Sequence, residues 1–223
     1  MSLTYGVTAV AALFLLGACI VVTGKREIWL LLLFISIFVA NLGYFLLSVS
    51  GTLDFALMAN RIAYAGNVFL PFFLLMIIFE LCGVHCHKQL TAVLFVVGLA
   101  VFGLAASPGY LTVYYRTVSI EIADGVSELV REYGPLHIVY YIYLFLYFGA
   151  MSAVIVWSIV RRKVAFPGHG IFLLSVVFVD IVVWLAEQMR PRGFEFLSIA
   201  YLLSESMMLV LYSVFYKYNM KRR

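Results

Sequence analysis

Charge is what this sequence has least of. Asp, Glu, Lys and Arg make up 12% of its 223 residues, about half of the roughly 25% that a water-soluble domain carries. Fifteen basic and eleven acidic side chains cannot clothe a globule of this size, so a compact soluble domain is excluded. Disorder is excluded by the opposite measure: it needs low hydrophobicity and high charge, whereas 65% of this chain is hydrophobic and its mean hydropathy is +1.07. A phosphate-cradling P-loop, a dinucleotide-binding glycine fingerprint and a His-Glu-x-x-His helix are also missing, which removes the sequence grounds for catalysis and for a cofactor. The net charge of +4 is small for a nucleic-acid binder and sorts by membrane side. The solvent for this chain is a bilayer.

A spanning helix needs about 20 mostly apolar residues, and seven such runs are present, at 3–23, 28–49, 54–82, 89–106, 134–160, 168–189 and 194–216. The breaks between them are short and carry charge or turn residues, among them Lys25-Arg26-Glu27, Ser50-Gly51-Thr52 and Pro191-Arg192-Gly193. Short breaks imply antiparallel neighbours, so the expected fold is all-α, a single polytopic bundle of seven transmembrane helices over 1–223. The third run, ~43 Å long as helix, exceeds the hydrocarbon core and should tilt or protrude.

Orientation follows from the basic residues of the loops. One side holds ten, namely Lys25, Arg26, Lys88, Arg161, Arg162, Lys163, Lys217, Lys221, Arg222 and Arg223, and the other holds Arg116, Arg131, Arg190 and Arg192. The N-terminus is therefore expected outside, the C-terminus in the cytoplasm, and the protein in the cell membrane as a multi-pass chain. Leu16-Gly17-Ala18-Cys19 resembles a lipoprotein cleavage box, but no Lys or Arg precedes it as a cleaved signal requires, so the first run is kept as a helix. All three cysteines then lie near or on the cytoplasmic side, where disulfides do not persist.

The one long loop, 107–133, is extracellular in this scheme. It alternates through Val118-Ser119-Ile120-Glu121-Ile122, meets Asp124-Gly125 and alternates again through Val126-Ser127-Glu128-Leu129. Asp-Gly between alternating runs signals a β-hairpin, here a small cap over the outer mouth. The plainer reading is a connector.

Polar groups in the spans are costly and so mark candidate sites. Asp180 and Glu205 fall near the midplane, ~16–18 Å in from the span ends; Arg61 and Glu187 lie nearer the outer surface. Helical spacing sets Asp180, Trp184 and Glu187 on one stripe of the sixth helix and Asn60, Tyr64, Asn67 and Pro71 on one stripe of the third, with Arg61 beside it. The second helix offers Asn41, Tyr44 and Ser48, the fifth His137, Tyr140 or Tyr141, and Tyr147, and the seventh Ser198, Tyr201 and Glu205. Five helices thus bring hydrogen-bonding groups to the outer half, which suggests an externally open polar cavity. Ordinary helix-to-helix stapling at ~0.6 kcal/mol per bond is the alternative, with Arg61 neutralising one carboxylate. Three acids against one Arg leave a negative surplus that stapling does not need and that a cationic small molecule, or protons, would use.

Two chemistries can be weighed directly. A retinal Schiff base needs a buried Lys, and no span contains one. Cys82, His85, Cys86 and His87 cluster at the cytoplasmic end of the third helix, but lack the intervening loop of a zinc finger and read as reduced thiols; no metal is expected.

Asn41-Leu-Gly-Tyr-Phe-Leu-Leu-Ser48, then Asp54-Phe-Ala-Leu-Met-Ala-Asn-Arg-Ile-Ala-Tyr64-Ala-Gly66-Asn-Val-Phe-Leu-Pro71, and Gly134-Pro135-Leu-His-Ile-Val-Tyr-Tyr-Ile-Tyr after the long loop resemble the seven-helix N-terminal sensor region of bacterial histidine kinases. The resemblance covers most of the chain and implies a sensor without catalysis of its own, handing a conformational change to a cytoplasmic kinase-type output domain or partner; a homodimer is the expected assembly. It transfers no binding residue, so the candidate ligand set remains Asn41, Tyr44, Asn60, Arg61, Tyr64, Asn67, His137, Tyr141, Asp180, Trp184, Glu187, Tyr201 and Glu205. Within the 223 residues no kinase His box or ATP-binding domain follows, which fits either a sensor cut from a longer kinase or a stand-alone member. The rival functions are a small proton- or solute-coupled transporter using the midplane carboxylates and a structural subunit of a membrane complex. The seventh helix carries Glu205 and leaves through Phe215-Tyr216-Lys217-Tyr218, so it is the expected transmitter.

Overall fold

The computed structural model describes residues 2–23, 27–123, 125–161, 167–189 and 196–221. Within them lie α1 (Ser2–Thr23), α2 (Ile28–Ser48), α3 (Leu53–Leu81), α4 (Lys88–Ala105), β1 (Tyr115–Ala123), β2 (Val126–Tyr133), α5 (His137–Val160), α6 (Pro167–Gln188) and α7 (Leu197–Lys221). Each helix falls on one of the seven apolar runs, and α7 continues past the expected end at 216. Lys25, Arg26, Asp124, Arg162, Lys163, Arg190, Pro191, Arg192, Gly193, Arg222 and Arg223, and the side chains of Lys217 and Lys221, lie outside the described residues.

Six of the helices are long and apolar enough to cross a membrane, and α7 adds the apolar stretch Leu197–Ser213. This is a multi-pass membrane protein. Local chemistry sets the helix ends. At the start of α3 the Thr52 hydroxyl accepts from the Phe55 amide at 3.3 Å, satisfying one of the four orphan donors, and Asp54 stands in the first turn, where negative charge favours the helix dipole. At its end Gly83 takes φ +62°. The Val84 amide reaches back to the Phe79 carbonyl at 2.8 Å and the Gly83 amide to that of Glu80 at 3.1 Å, the paired bonds that close a helix through a left-handed residue.

α3 is the most enclosed element: 78% of its apolar window is buried, against 17–50% for the other spanning helices. It packs on α2, α4 and α5, while α7 packs on α6, α1 and α2. Consequently α2, α3, α5, α6 and α7 touch one another in turn as a closed ring, with α1 against the α2–α7 seam and α4 against the α3–α5 seam. These five are the helices that carry the sequence-predicted polar stripes.

The hairpin stands where the alternation and Asp-Gly locate it, between α4 and α5, its antiparallel register pairing Ile120 with Leu129 and Ser119 with Val130. Val126 and Ser127 are buried. The strands lie on α2 and α3, and the Ser127 hydroxyl donates to the Ser50 carbonyl in the α2–α3 connection. Both partners are buried, so the bond fixes the hairpin to the bundle as well as to itself.

Candidate functional site

An aromatic cluster joins the hairpin to three helices. The Tyr64 hydroxyl on α3 lies 3.1 Å from that of Tyr115 on β1, and the Tyr64 ring meets Tyr114 and Tyr140 edge-on at 5.8 and 5.4 Å. His137, the first residue of α5 and 4% exposed, stacks on Tyr133 of β2 with centroids 3.8 Å apart. Its other side meets Tyr141 edge-on at 4.7 Å, and Tyr141 meets Trp184 of α6 at 5.4 Å. The Arg131 guanidinium sits over Tyr115 and Tyr133 at 5.6 and 5.9 Å, within cation–π range. Burial, reinforced by the neighbouring Tyr115, holds the Tyr114 phenol well above its ordinary range, so it stays neutral. Tyr64, His137, Tyr141 and Trp184 were legible as candidates; Tyr114, Tyr115, Arg131 and Tyr133 were not, because they sit in or beside the hairpin, off any helical stripe.

A second group ties α2 to its neighbours. Asn67 on α3 donates to the Tyr44 hydroxyl at 2.7 Å. Asn41, wholly buried, donates to the Ile37 carbonyl at 2.9 Å and accepts from the Ser198 hydroxyl of α7, which also stands 3.0 Å from Thr8 Oγ1 of α1. Asn60 is buried, and its Nδ2, like Asn67 Oδ1, has no hydrogen-bond partner among the described residues.

The third group lies between α6 and α7. Ser204 donates to Asp180 Oδ1 at 2.7 Å, an α6–α7 bond within apolar surroundings. Glu187 accepts from the amide of Leu197, the first residue of α7, so its carboxylate serves as a helix N-terminal cap. Tyr201 is buried on α7. Glu205 is 0% exposed, and neither carboxylate oxygen has a hydrogen-bond partner among the described residues.

Arg61 corrects an expectation. Its guanidinium does not turn to Asp180, Glu187 or Glu205; Nε donates to the Ala106 carbonyl at 3.0 Å and Nη2 to that of Pro108 at 2.8 Å, with Tyr110 beneath it at 4.6 Å. Ala106 closes α4, and the last carbonyls of a helix lack partners and carry partial negative charge. A forked cation meets that need from the side, which leaves the carboxylates without it.

Among the described residues no three His, Cys, Asp or Glu side chains come together to hold a metal ion. Cys82 is wholly buried, and Cys86 Sγ lies 3.4 Å from Thr91 Oγ1.

Compared with known families, residues 7–220 match the N-terminal 7TM region of histidine kinase, nearly the whole chain. Among curated proteins nothing matches.

Proposed function

Because the chain belongs to the family of N-terminal seven-transmembrane regions of histidine kinases, and so corresponds to their non-catalytic sensor domain, we propose that it receives an extracellular or membrane-borne signal in its hairpin-side half and delivers it through α7 to a cytoplasmic output domain. The observation that carries this reading is a series of ring contacts from the hairpin to α6, followed one helical turn away by a hydrogen bond from α6 to α7. Tyr133 of the hairpin stacks on His137, His137 meets Tyr141, and Tyr141 meets Trp184. Asp180 lies one turn along α6 from Trp184 and holds Ser204 of α7. A signal that shifts the hairpin against α5 therefore acts on packed rings and one buried hydrogen bond, elements that have discrete arrangements.

A fusion of the chain to a histidine-kinase output domain tests it. Trp184→Ala and Ser204→Ala should each cut the response of kinase activity to hairpin perturbation, such as Tyr133→Ala, by about tenfold, equivalent to about 1.4 kcal/mol of coupling. Residues inserted one at a time after Arg223 should modulate output with a period near 3.6. Full response in both variants would break the series.

In this reading the hairpin faces outside, supported by the ten-to-four distribution of basic residues. On a cysteine-free background, Glu121→Cys on the exposed face of β1 should be labelled in intact cells by an impermeant thiol reagent, and Lys88→Cys only after permeabilisation. The reverse pattern inverts the topology.

A further inference from the structure

Ser204 and Glu205 are consecutive, so they point about 100° apart on α7. Ser204 faces α6 through its bond to Asp180, and Glu205 therefore belongs to another face. Ser198, seven residues earlier and hence on the same stripe as Glu205, reaches Thr8 of α1 and Asn41 of α2. Glu205 is also within electrostatic reach of the Cys19 thiol on α1. Both observations put its carboxyl group in the junction of α1, α2 and α7, three helices that pack pairwise, about 10 Å by rise below the Thr8–Asn41–Ser198 cluster.

The junction below that cluster is closed and apolar. Ala12, Cys19 and Phe34 are 0% exposed, Ile37 is 2% exposed, and on α7 Met208 is 0% exposed. The titratable groups on the elements packed here are Cys19 and, towards the hairpin, Tyr5 on α1; Tyr44, also towards the hairpin, on α2; Asp180 on α6, engaged on the neighbouring face; and Tyr201 and Tyr212 on α7, with Glu27 before α2 and Glu80 on α3 within electrostatic reach of Tyr212. The described side chains of α1, α2, α6 and α7 include no Lys or Arg. An ionised carboxylate in such a place needs a partner, and Glu205 has none among the described residues.

We infer that Glu205 is a proton-binding site, exchanging its proton with water when the seam of α1, α2 and α7 parts, and that its state sets how α7 packs in that junction. Loading adds one proton from that water to one carboxylate oxygen; unloading returns it and leaves an anion that the closed junction cannot accommodate, so the seam must part to admit hydrogen-bond donors. This names the signal class of the sensor proposed above, and rests on that reading only for the link to output.

The test uses the chain reconstituted in lipid nanodiscs and infrared difference spectra between about pH 4 and 10. The wild type should show a reversible protonated-acid carbonyl band that is absent in E205Q and retained in D180N, and the unfolding midpoint should depend on pH in the wild type through a step that E205Q lacks. Carbon-13 labelling of glutamate should shift that band, which keeps the test available if a variant fails to reconstitute. Identical pH dependence in wild type and E205Q, or an acid band that ignores the glutamate label, overturns the inference. In the kinase fusion, pH-dependent output that survives E205Q also overturns it while sparing the sensor. A Glu205 protonation step with kinase output indifferent to pH leaves the proton site standing and overturns its link to output.

Discussion

Gly66→Ala should destabilise the protein by about 3 kcal/mol or more, although it adds a single methyl group. Gly66 sits where α3 crosses α2, and a Cβ there would stand 2.7 Å from that of Ala40 and collide with the Ser36 carbonyl oxygen. One α2 residue repeats the arrangement in reverse, since a Cβ on Gly43 would lie 2.7 Å from that of Ala63. Backbone cannot swing aside as a flexible side chain does, so the helices must separate, and overpacking of this kind costs at the upper end of about 1–3 kcal/mol or beyond. Membrane helices associate through such small-residue contacts because lipid supplies no hydrophobic drive between them. Gly149→Ala on α5 and Gly103→Ala on α4, where nothing lies within 4 Å, should instead be neutral or stabilising by up to about 1 kcal/mol. Thermal unfolding in detergent, followed by helical circular dichroism, separates the two pairs; equal effects at all four positions would remove the close crossing.

Arg61→Ala should cost about 2 kcal/mol, the scale of hydrogen bonds made by a charged group to half-buried acceptors. Arg61→Lys should recover at most half, since an ammonium lacks the fork that reaches both Ala106 and Pro108. The informative comparison is the double variant: Arg61→Ala with Asp180→Asn should be additive within about 0.5 kcal/mol, as expected of groups with no shared partner. Coupling well above that in unfolding measurements would restore the ion pair that the sequence suggests. Increased protease access to residues 107–113 in Arg61→Ala is expected alongside, because its guanidinium holds that connection.

The spans were legible because a run of apolar residues is a one-dimensional signal whose length the bilayer sets. The hairpin was legible because alternation and Asp124-Gly125 act over a few residues. Arg61 shows where such reading stops: it was paired in expectation with side chains, but a cation can equally be met by backbone carbonyls, which every residue carries and no sequence pattern marks. Asp180 and Glu205 were found from their cost in a membrane, yet that Asp180 of α6 meets one face of α7 while Glu205 occupies another is set by Ser204, an ordinary serine beside the more conspicuous acid. Tyr114 and Tyr115 precede or open β1 at a register irregularity, where neither helical nor strand periodicity says which way a ring points.

Glu187 holds the first amide of α7, and that bond gives the helix a fulcrum. From Leu197 to Ser204 is about 10 Å by rise, and from Leu197 to Lys221 about 36 Å. A sideways displacement of about 1 Å imposed at Ser204 through Asp180 thus becomes about 3 Å at the far end, provided the pinned end stays put. On the proposed transmission through α7, the helix would act as a lever of the third kind, its effort applied near the pivot and its load at the tip, trading force for travel. Weakening the pivot with Glu187→Ala would cut the travel at the tip towards that at Ser204, while Ser198 still ties the same end of the helix to Thr8 and Asn41.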